Sequence, residues 1–522
     1  MDRRIILLSL LLALSLSFTS ALRAHTGDPP ASAQAGDRPP ASASNGAPDD
    51  FTVYLPLIRV PPILVSAILT PFDANVSDLV GPTSWEANYG KRPEIIAAAQ
   101  GTTLHILAQD YDPHTPWTAV LVRLEPADGG YRVTQALTSL PMLDRILGLA
   151  IDDDGNRYYA TCVDESHLVN AYYPPLYPLY RSNIVRVVKV SPTGDVLFNV
   201  DLDVARGPVY RSAPIINPMY ASTARLVIAG RHIGLVHGGA SDPDWTIGGQ
   251  RHQWSTFTRL DAISGEVTWP RGLYVSHSFD QRLMADGTQI IELYLGDAFP
   301  RAVTLGRDGR GREGSTRGAD VFAIKGPFGE NLTATRLGNV ALIDHDPAYR
   351  YLILFATERS DQVGNIIDRR ISGPRNLAIV RVHGVDLSVD SALPDALTVV
   401  SNGITVTNRF RWLTGYSAES RLHAERPKLI GVGDDRYIVL WEEWRTIDPT
   451  TDVFNGVYGM LIDAQGAPLL PATLLTTSHL PRGDDAIFFQ NGAVWVTGDA
   501  AQRKLYLHMV DARLQYQVVT ID

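Results

Sequence analysis

Residues 104–110 read LHILAQD, an apolar strand that stops abruptly on the carboxylate of Asp110. Six more runs have the same form, each reaching an acidic residue or a histidine at or near its end: 157–165 (RYYATCVDE), 233–239 (IGLVHGG), 291–298 (IELYLGDA), 352–359 (LILFATER), 438–444 (IVLWEEW) and 494–500 (VWVTGDA). Their starts lie 53, 76, 58, 61, 86 and 56 residues apart. Between them, turn chemistry recurs at 152–156 (DDDGN), 191–195 (SPTGD), 261–266 (DAISGE) and 463–466 (DAQG). In each turn the Gly takes positive φ without steric cost, while Asp, Asn or Ser bonds the local backbone. Helical periodicity is missing beyond about residue 85, so these are antiparallel hairpins rather than αβ units.

A small antiparallel sheet repeated at such intervals leaves two apolar faces that it cannot bury alone. Stacking the sheets radially buries them and leaves only short edges. The expected fold is therefore all-β, a single β-propeller. Seven runs favour seven blades, and the two long spacings leave six or eight open. Two hairpins resemble known propeller families. Residues 149–159 (LAIDDDGNRYY) resemble the strand–turn–strand of NHL-type repeats, and 260–269 (LDAISGEVTW) is similar to the repeat of quinoprotein-type propellers, with Ser264 in place of the usual Thr. Each occurs once, whereas those families repeat theirs in every blade. The resemblance implies the superfold and assigns no family.

The ends of the chain add an organisation. Asp2-Arg3-Arg4, an apolar run from Ile5 to Phe18 and small residues at 19–21 have the order of a secretory signal, here 1–24, and the run is shorter than the ~20 residues that span a bilayer. Residues 25–50, rich in Pro, Ala and Ser, read as a disordered tether. Residues 51–84 form an extension whose stretch 51–69 is expected to close the ring as a strand of the last blade, with the propeller occupying 85–522. The expected product is secreted or envelope-associated, monomeric and without stable membrane insertion after cleavage. Cys162 stands alone among 522 residues, so no intramolecular disulfide forms and stability comes from packing. A net charge of −10 argues against a nucleic-acid-binding surface.

No G-x-S-x-G, H-E-x-x-H, C-x-x-C or Walker loop occurs. The densest polar segment runs over 235–301 and holds His237, His252, His277, Asp280, Arg282, Asp297 and Arg301. Its histidines offer metal ligands at spacings that fit no short motif. His277 offers a base oriented by Asp280 or Asp297, and Arg282 with Arg301 offers a clamp for a carboxylate or sulfate. The structural alternative is that these groups satisfy backbone atoms between blades. The acidic run ends Asp110, Asp164, Glu165, Asp297, Glu358, Glu442, Glu443 and Asp499 form a second constellation, a rim able to hold Ca²⁺ or a cationic ligand, or simply a solvated edge. Trp412, Trp441 and Trp444 stack on sugars if exposed and pack between blades if buried. Two functions follow as expectations. One is a recognition module for an extracellular glycan, peptide or small ligand. The other is an extracellular propeller enzyme (a lyase, glycosidase or quinoprotein-like oxidoreductase) using the 235–301 cluster.

Overall fold

The computed structural model describes residues 95–521 except 111–117, 128–129, 138–139, 141–144, 164–183, 204–214, 219–222, 242–252, 270–272, 277–279, 297–300, 309–317, 328–334, 360–372, 449–450 and 500–503. Every regular element described is a strand, and the strands pair into seven antiparallel sheets in chain order: 95–137, 145–203, 215–276, 280–323, 336–412, 422–476 and 487–521, here blades 1 to 7. The apolar part of each of the seven runs quoted above falls on the second strand of its blade: Thr103–Asp110, Arg157–Val163, His232–Ser241, Gln289–Gly296, Tyr349–Glu358, Arg436–Asp448 and Gly492–Asp499. These strands are flanked by a partner on each edge and a blade on each face, which is why they are apolar through most of their length.

The core is a set of wedges between neighbouring blades. Leu107 meets Ile146 and Tyr159 between blades 1 and 2, and Tyr158 meets Leu235 and Leu260 between 2 and 3. Phe257 and Ile290 fill the 3–4 wedge, Leu293, Phe355 and Phe410 the 4–5 wedge, and Leu354 and Trp441 the 5–6 wedge. Leu440 packs near Trp495 between 6 and 7. The circle closes where Val494 and Ile106 share a cluster between blades 7 and 1. The fold is a seven-bladed β-propeller.

Among the described residues the long spacings hold no eighth blade. The 76-residue interval contains the outer half of blade 2 and the inner strand of blade 3, which is split into Ile215–Pro218 and Arg225–Ala229 on one edge of the same second strand. The 86-residue interval reflects a fifth strand in blade 5, Asp395–Ser401, hydrogen-bonded beside Ile404–Trp412. That extra hairpin leans on blade 4, where the Asn408 side chain accepts from Ala323 N at 2.7 Å and donates to Ala323 O at 2.9 Å. Blade 7 draws four strands from 487–521. The signal, the tether and the ring-closing stretch 51–69 lie outside the described residues.

All four turns named from sequence link successive strands of one sheet. At 463–466, Asp463 Oδ1 accepts from Gln465 N at 2.9 Å and Ala467 N at 2.8 Å, and Gly466 sits at φ +74°. A Cβ on Gly466 would approach the Cδ1 of Ile379 in blade 5 to 2.2 Å. Gly466→Ala therefore combines backbone strain with displacement of a core side chain, and we expect a loss of about 1–3 kcal/mol in unfolding free energy. A denaturation midpoint equal to that of the wild type would contradict this.

Candidate functional site

Inner strands run antiparallel to second strands, so the start of one lies beside the end of the other: Asp280 is near Leu295, Arg336 pairs with Ala356, and Ala424 pairs with Glu443. The described run ends, at Asp110, His237, Glu358, Glu442 and Asp499, therefore share one rim of the wheel with the first residues of the inner strands. Charge lies at the start of several inner strands, on Arg225, Asp280, Arg282 and Arg336, further along the blade 6 strand on Arg426 and Lys428, and on Asp484 and Asp485 just before blade 7.

They converge on Asp485. Arg225 of blade 3 places Nε 2.7 Å from Asp485 Oδ2, Arg282 of blade 4 places Nε 2.9 Å from Oδ1, and Lys428 of blade 6 places Nζ 3.7 Å from Oδ1. Arg282 also bonds Asp280, whose Oδ2 accepts from Leu337 N of blade 5 at 3.4 Å. Asp484 reaches blade 1, accepting from Ala97 N at 3.2 Å, and its carbonyl receives Lys428. Six of the seven blades are thus tied by one ionic network around the axis.

A bulge shapes the blade 6 contribution. Arg426 has φ +50°, and the pairing register shifts between Glu425 and Lys428. Pro427, which has no N–H to pair, falls in that irregularity, and the bulge re-aims the two flanking cations. Arg426 Nη1 is 2.9 Å from Glu442 Oε1. Beside this network opens a small cleft of about 30 Å³, lined by Arg282, Arg336, Arg426, Lys428 and Arg482 with the single carboxylate of Asp280.

Burial and charge perturb the hub. Burial pushes the Asp484 carboxyl up to about 6, against the attraction of Arg225. Burial likewise brings Lys428 down to about 8, with Arg282 and Arg225 adding to the depression and Asp485 opposing it. Asp485 is also opposed by burial, yet Arg225, Arg282 and Lys428 outweigh it and hold the carboxyl well below the usual range.

The segment 235–301 is divided by this arrangement. Asp280 and Arg282 belong to the hub. His237 is 2% exposed, with Nδ1 2.9 Å from its neighbour's Gly238 carbonyl oxygen, and it does not line the cleft. Arg301 is tied to the backbone at the edge of blade 4, donating from Nε to Lys325 O at 2.8 Å and packing against Gly326. His252, His277 and Asp297 lie outside the described residues.

The carboxylate rim is described only in part. Glu358 meets Lys325 Nζ at 2.5 Å and accepts from Gly373 N at 2.9 Å. Glu442, fully buried, accepts from Leu480 N and Trp444 Nε1, both at 2.8 Å, besides Arg426. Glu443 accepts from Tyr416 OH at 2.8 Å and Asn455 Nδ2 at 3.0 Å. Trp441 and Trp444 are 1% and 2% exposed and pack inside the fold, so neither presents a face to a sugar. Trp412 is half-buried under the Arg359 guanidinium, 4.9 Å from the ring centre.

Sequence reading missed Arg225, Arg336, Arg426, Lys428, Arg482, Asp484 and Asp485. The signal was present: ARLVIA, TRLGNV, ERPKLI and RGDDAI each put charge at the start of the apolar strand preceding a quoted run.

No family model matches the chain, and no curated protein does. Solved structures similar to it include the acylaminoacyl peptidase of Pyrococcus horikoshii, at 10% identity over 84% of this chain and 52% of the peptidase, TM-score 0.36. A GH43 endo-arabinanase from Bacillus licheniformis is 12% identical over 77% of this chain and 99% of its own, TM-score 0.30. The subtype N11 neuraminidase-like protein of A/flat-faced bat/Peru/033/2010 is 10% identical over 76% and 92%, TM-score 0.34. The match takes in about half of the peptidase's length. The assignment of this chain as a propeller rests on its own seven sheets and the closed circle of wedges between them.

Proposed function

We propose that the protein is an exported recognition module whose hub cleft takes an anionic group (a carboxylate, sulfate or phosphate) carried by an extracellular glycan, peptide or small molecule. The observation that carries this reading is the lining of the cleft: five cationic side chains and one carboxylate, Arg282, Lys428 and Arg426 being also paired with Asp280, Asp485 and Glu442, in a chain whose net charge is −10. Guanidinium groups present planar donor forks that suit such anions.

The test is a binding screen of neutral and acidic glycans and peptides, with wild type and Arg336→Ala. A charge-assisted hydrogen bond contributes about 1.5–3 kcal/mol, so the variant is expected to bind at least about tenfold more weakly. Wild-type hits should carry acidic groups and weaken with added salt. Neutral hits that bind Arg336→Ala as tightly as wild type would remove the cleft from consideration.

A second reading, an enzyme, has one observation in its favour: Asp484 near 6 and Lys428 near 8 bring an acid and a base toward neutrality at the same site. Turnover of a screened ligand that is lost in Asp484→Asn while binding persists selects this reading.

A further inference from the structure

Blade 6 contains a second polar cluster, on its inner strand and the hairpin beyond it. His423 and Glu425 are two residues apart on Leu422–Gly431 and so face the same way. Asp452 comes from the third strand, Thr451–Asp463, where the pairing of the second and third strands is irregular between Glu443 and Trp444 and again between Thr446 and Asp448. The three side chains are 2%, 0% and 1% exposed. His423 Nε2 lies 3.2 Å from Glu425 Oε1 and 3.6 Å from Asp452 Oδ2, and the three groups can offer one ligand atom each within 4.8 Å of one another.

Two features separate this cluster from an ordinary buried ion pair. First, His423 Nε2 is buried and makes no hydrogen bond, although two carboxylates flank it. A ring nitrogen aimed between two acids without bonding either has the geometry of a lone pair directed at a shared third body. Second, the spacings match what a metal requires. Nitrogen and oxygen atoms about 2.0–2.2 Å from a tetrahedral ion stand about 3.4 Å apart, between the two observed separations.

We propose that His423, Glu425 and Asp452 bind one divalent transition-metal ion of the Zn²⁺ or Mn²⁺ class inside blade 6. The donor set of one imidazole nitrogen and two carboxylate oxygens selects this class over Ca²⁺, which takes six to eight oxygen ligands. The site differs from the acidic rim expected from sequence, since neither His423 nor Asp452 belongs to that set. It also stands apart from the cleft ligand, and nothing in it depends on what the hub binds. Its structural consequence is local: Glu425 directly precedes Arg426, so an ion there anchors the bulge that aims Arg426 at the hub.

The experiment uses the full chain, stripped with chelator and dialysed separately against Zn²⁺, Mn²⁺ and Ca²⁺ at micromolar concentration, with bound metal measured by elemental analysis. Wild type is expected to retain about one Zn²⁺ or Mn²⁺ per chain and to melt at a higher temperature with it. His423→Gln and Asp452→Asn should each lose affinity by more than the roughly 10- to 100-fold that removal of an outer-shell partner costs. Circular dichroism checks that each variant is folded. If both variants fail to fold, the wild type loaded with Co²⁺ decides: visible ligand-field bands displaced by Zn²⁺ support the site, and their absence overturns it. The proposal also fails if wild type takes up no stoichiometric metal, if folded His423→Gln retains it, or if Ca²⁺ alone binds.

Discussion

Asp485→Asn is expected to destabilise the protein by about 3–5 kcal/mol, the range found when one member of a buried ionic network is removed. Asp485 is 8% exposed and faces Arg225, Arg282 and Lys428 from three different blades. An amide there leaves three cations at the axis with one counter-charge fewer. The sign with pH follows from the depressed carboxyl. Its stabilising contribution is complete above the unfolded value near 4 and is lost only in stronger acid, as pH falls through the lower folded value. The deficit of the variant should therefore be full at pH 7 and narrow only below the ordinary carboxylate range. Denaturant unfolding at pH 7 measures it, and a shift of under about 1 kcal/mol would mean that the network does not hold the blades together.

Asp484→Asn is expected to do the reverse, raising stability at pH 7.5 by about 1–3 kcal/mol. The native carboxyl titrates near 6, above its unfolded value. Protonation therefore favours the folded state: that contribution is complete below about pH 4 and is lost as pH rises through 6. At pH 7.5 the wild type carries a buried charge that the amide lacks, whereas at pH 4 both side chains are neutral and the gain should vanish. The carbonyl of an asparagine still accepts from Ala97 N, so the tie to blade 1 is kept. Melting curves at the two pH values test this, and a gain of equal size at both would show that the carboxyl is not the cause. Lys428 behaves in parallel. With a folded value near 8, its ammonium costs stability at neutral pH, and that cost is relieved as pH rises from 8 toward 10.5. Two charges held against the stability of the fold, side by side at the hub, are what a binding or catalytic site requires.

The blade count was legible because second strands are covered on both faces and both edges. Burial of that kind leaves a mark in the local sequence, as in LILFATE or IVLWEE, and the turns between strands carry their own chemistry at residues such as Asp463 and Gly466. The hub left no comparable mark. Arg225 and Asp485 bond across 260 residues, and a lone charge before a short apolar run is an ordinary feature of any strand start. Reading the histidine-rich segment 235–301 as one site joined residues by nearness in the chain. The fold takes Asp280 and Arg282 to the axis and leaves His237 buried away from the cleft and Arg301 against the backbone of blade 4.

Local composition was enough to establish strands, hairpins and their sevenfold recurrence, since alternation, turn residues and apolar runs act over a few neighbours. Which charges share the axis was settled only by closure of the circle, because Asp485 meets Arg225, Arg282 and Lys428 from three other blades. Within blade 6, pairing of its own strands with shifted register brings His423, Glu425 and Asp452 within 4.8 Å. Chemistry assembled between distant strands is invisible until the strands are placed, for the interaction energy depends on separation in space and not on order along the chain.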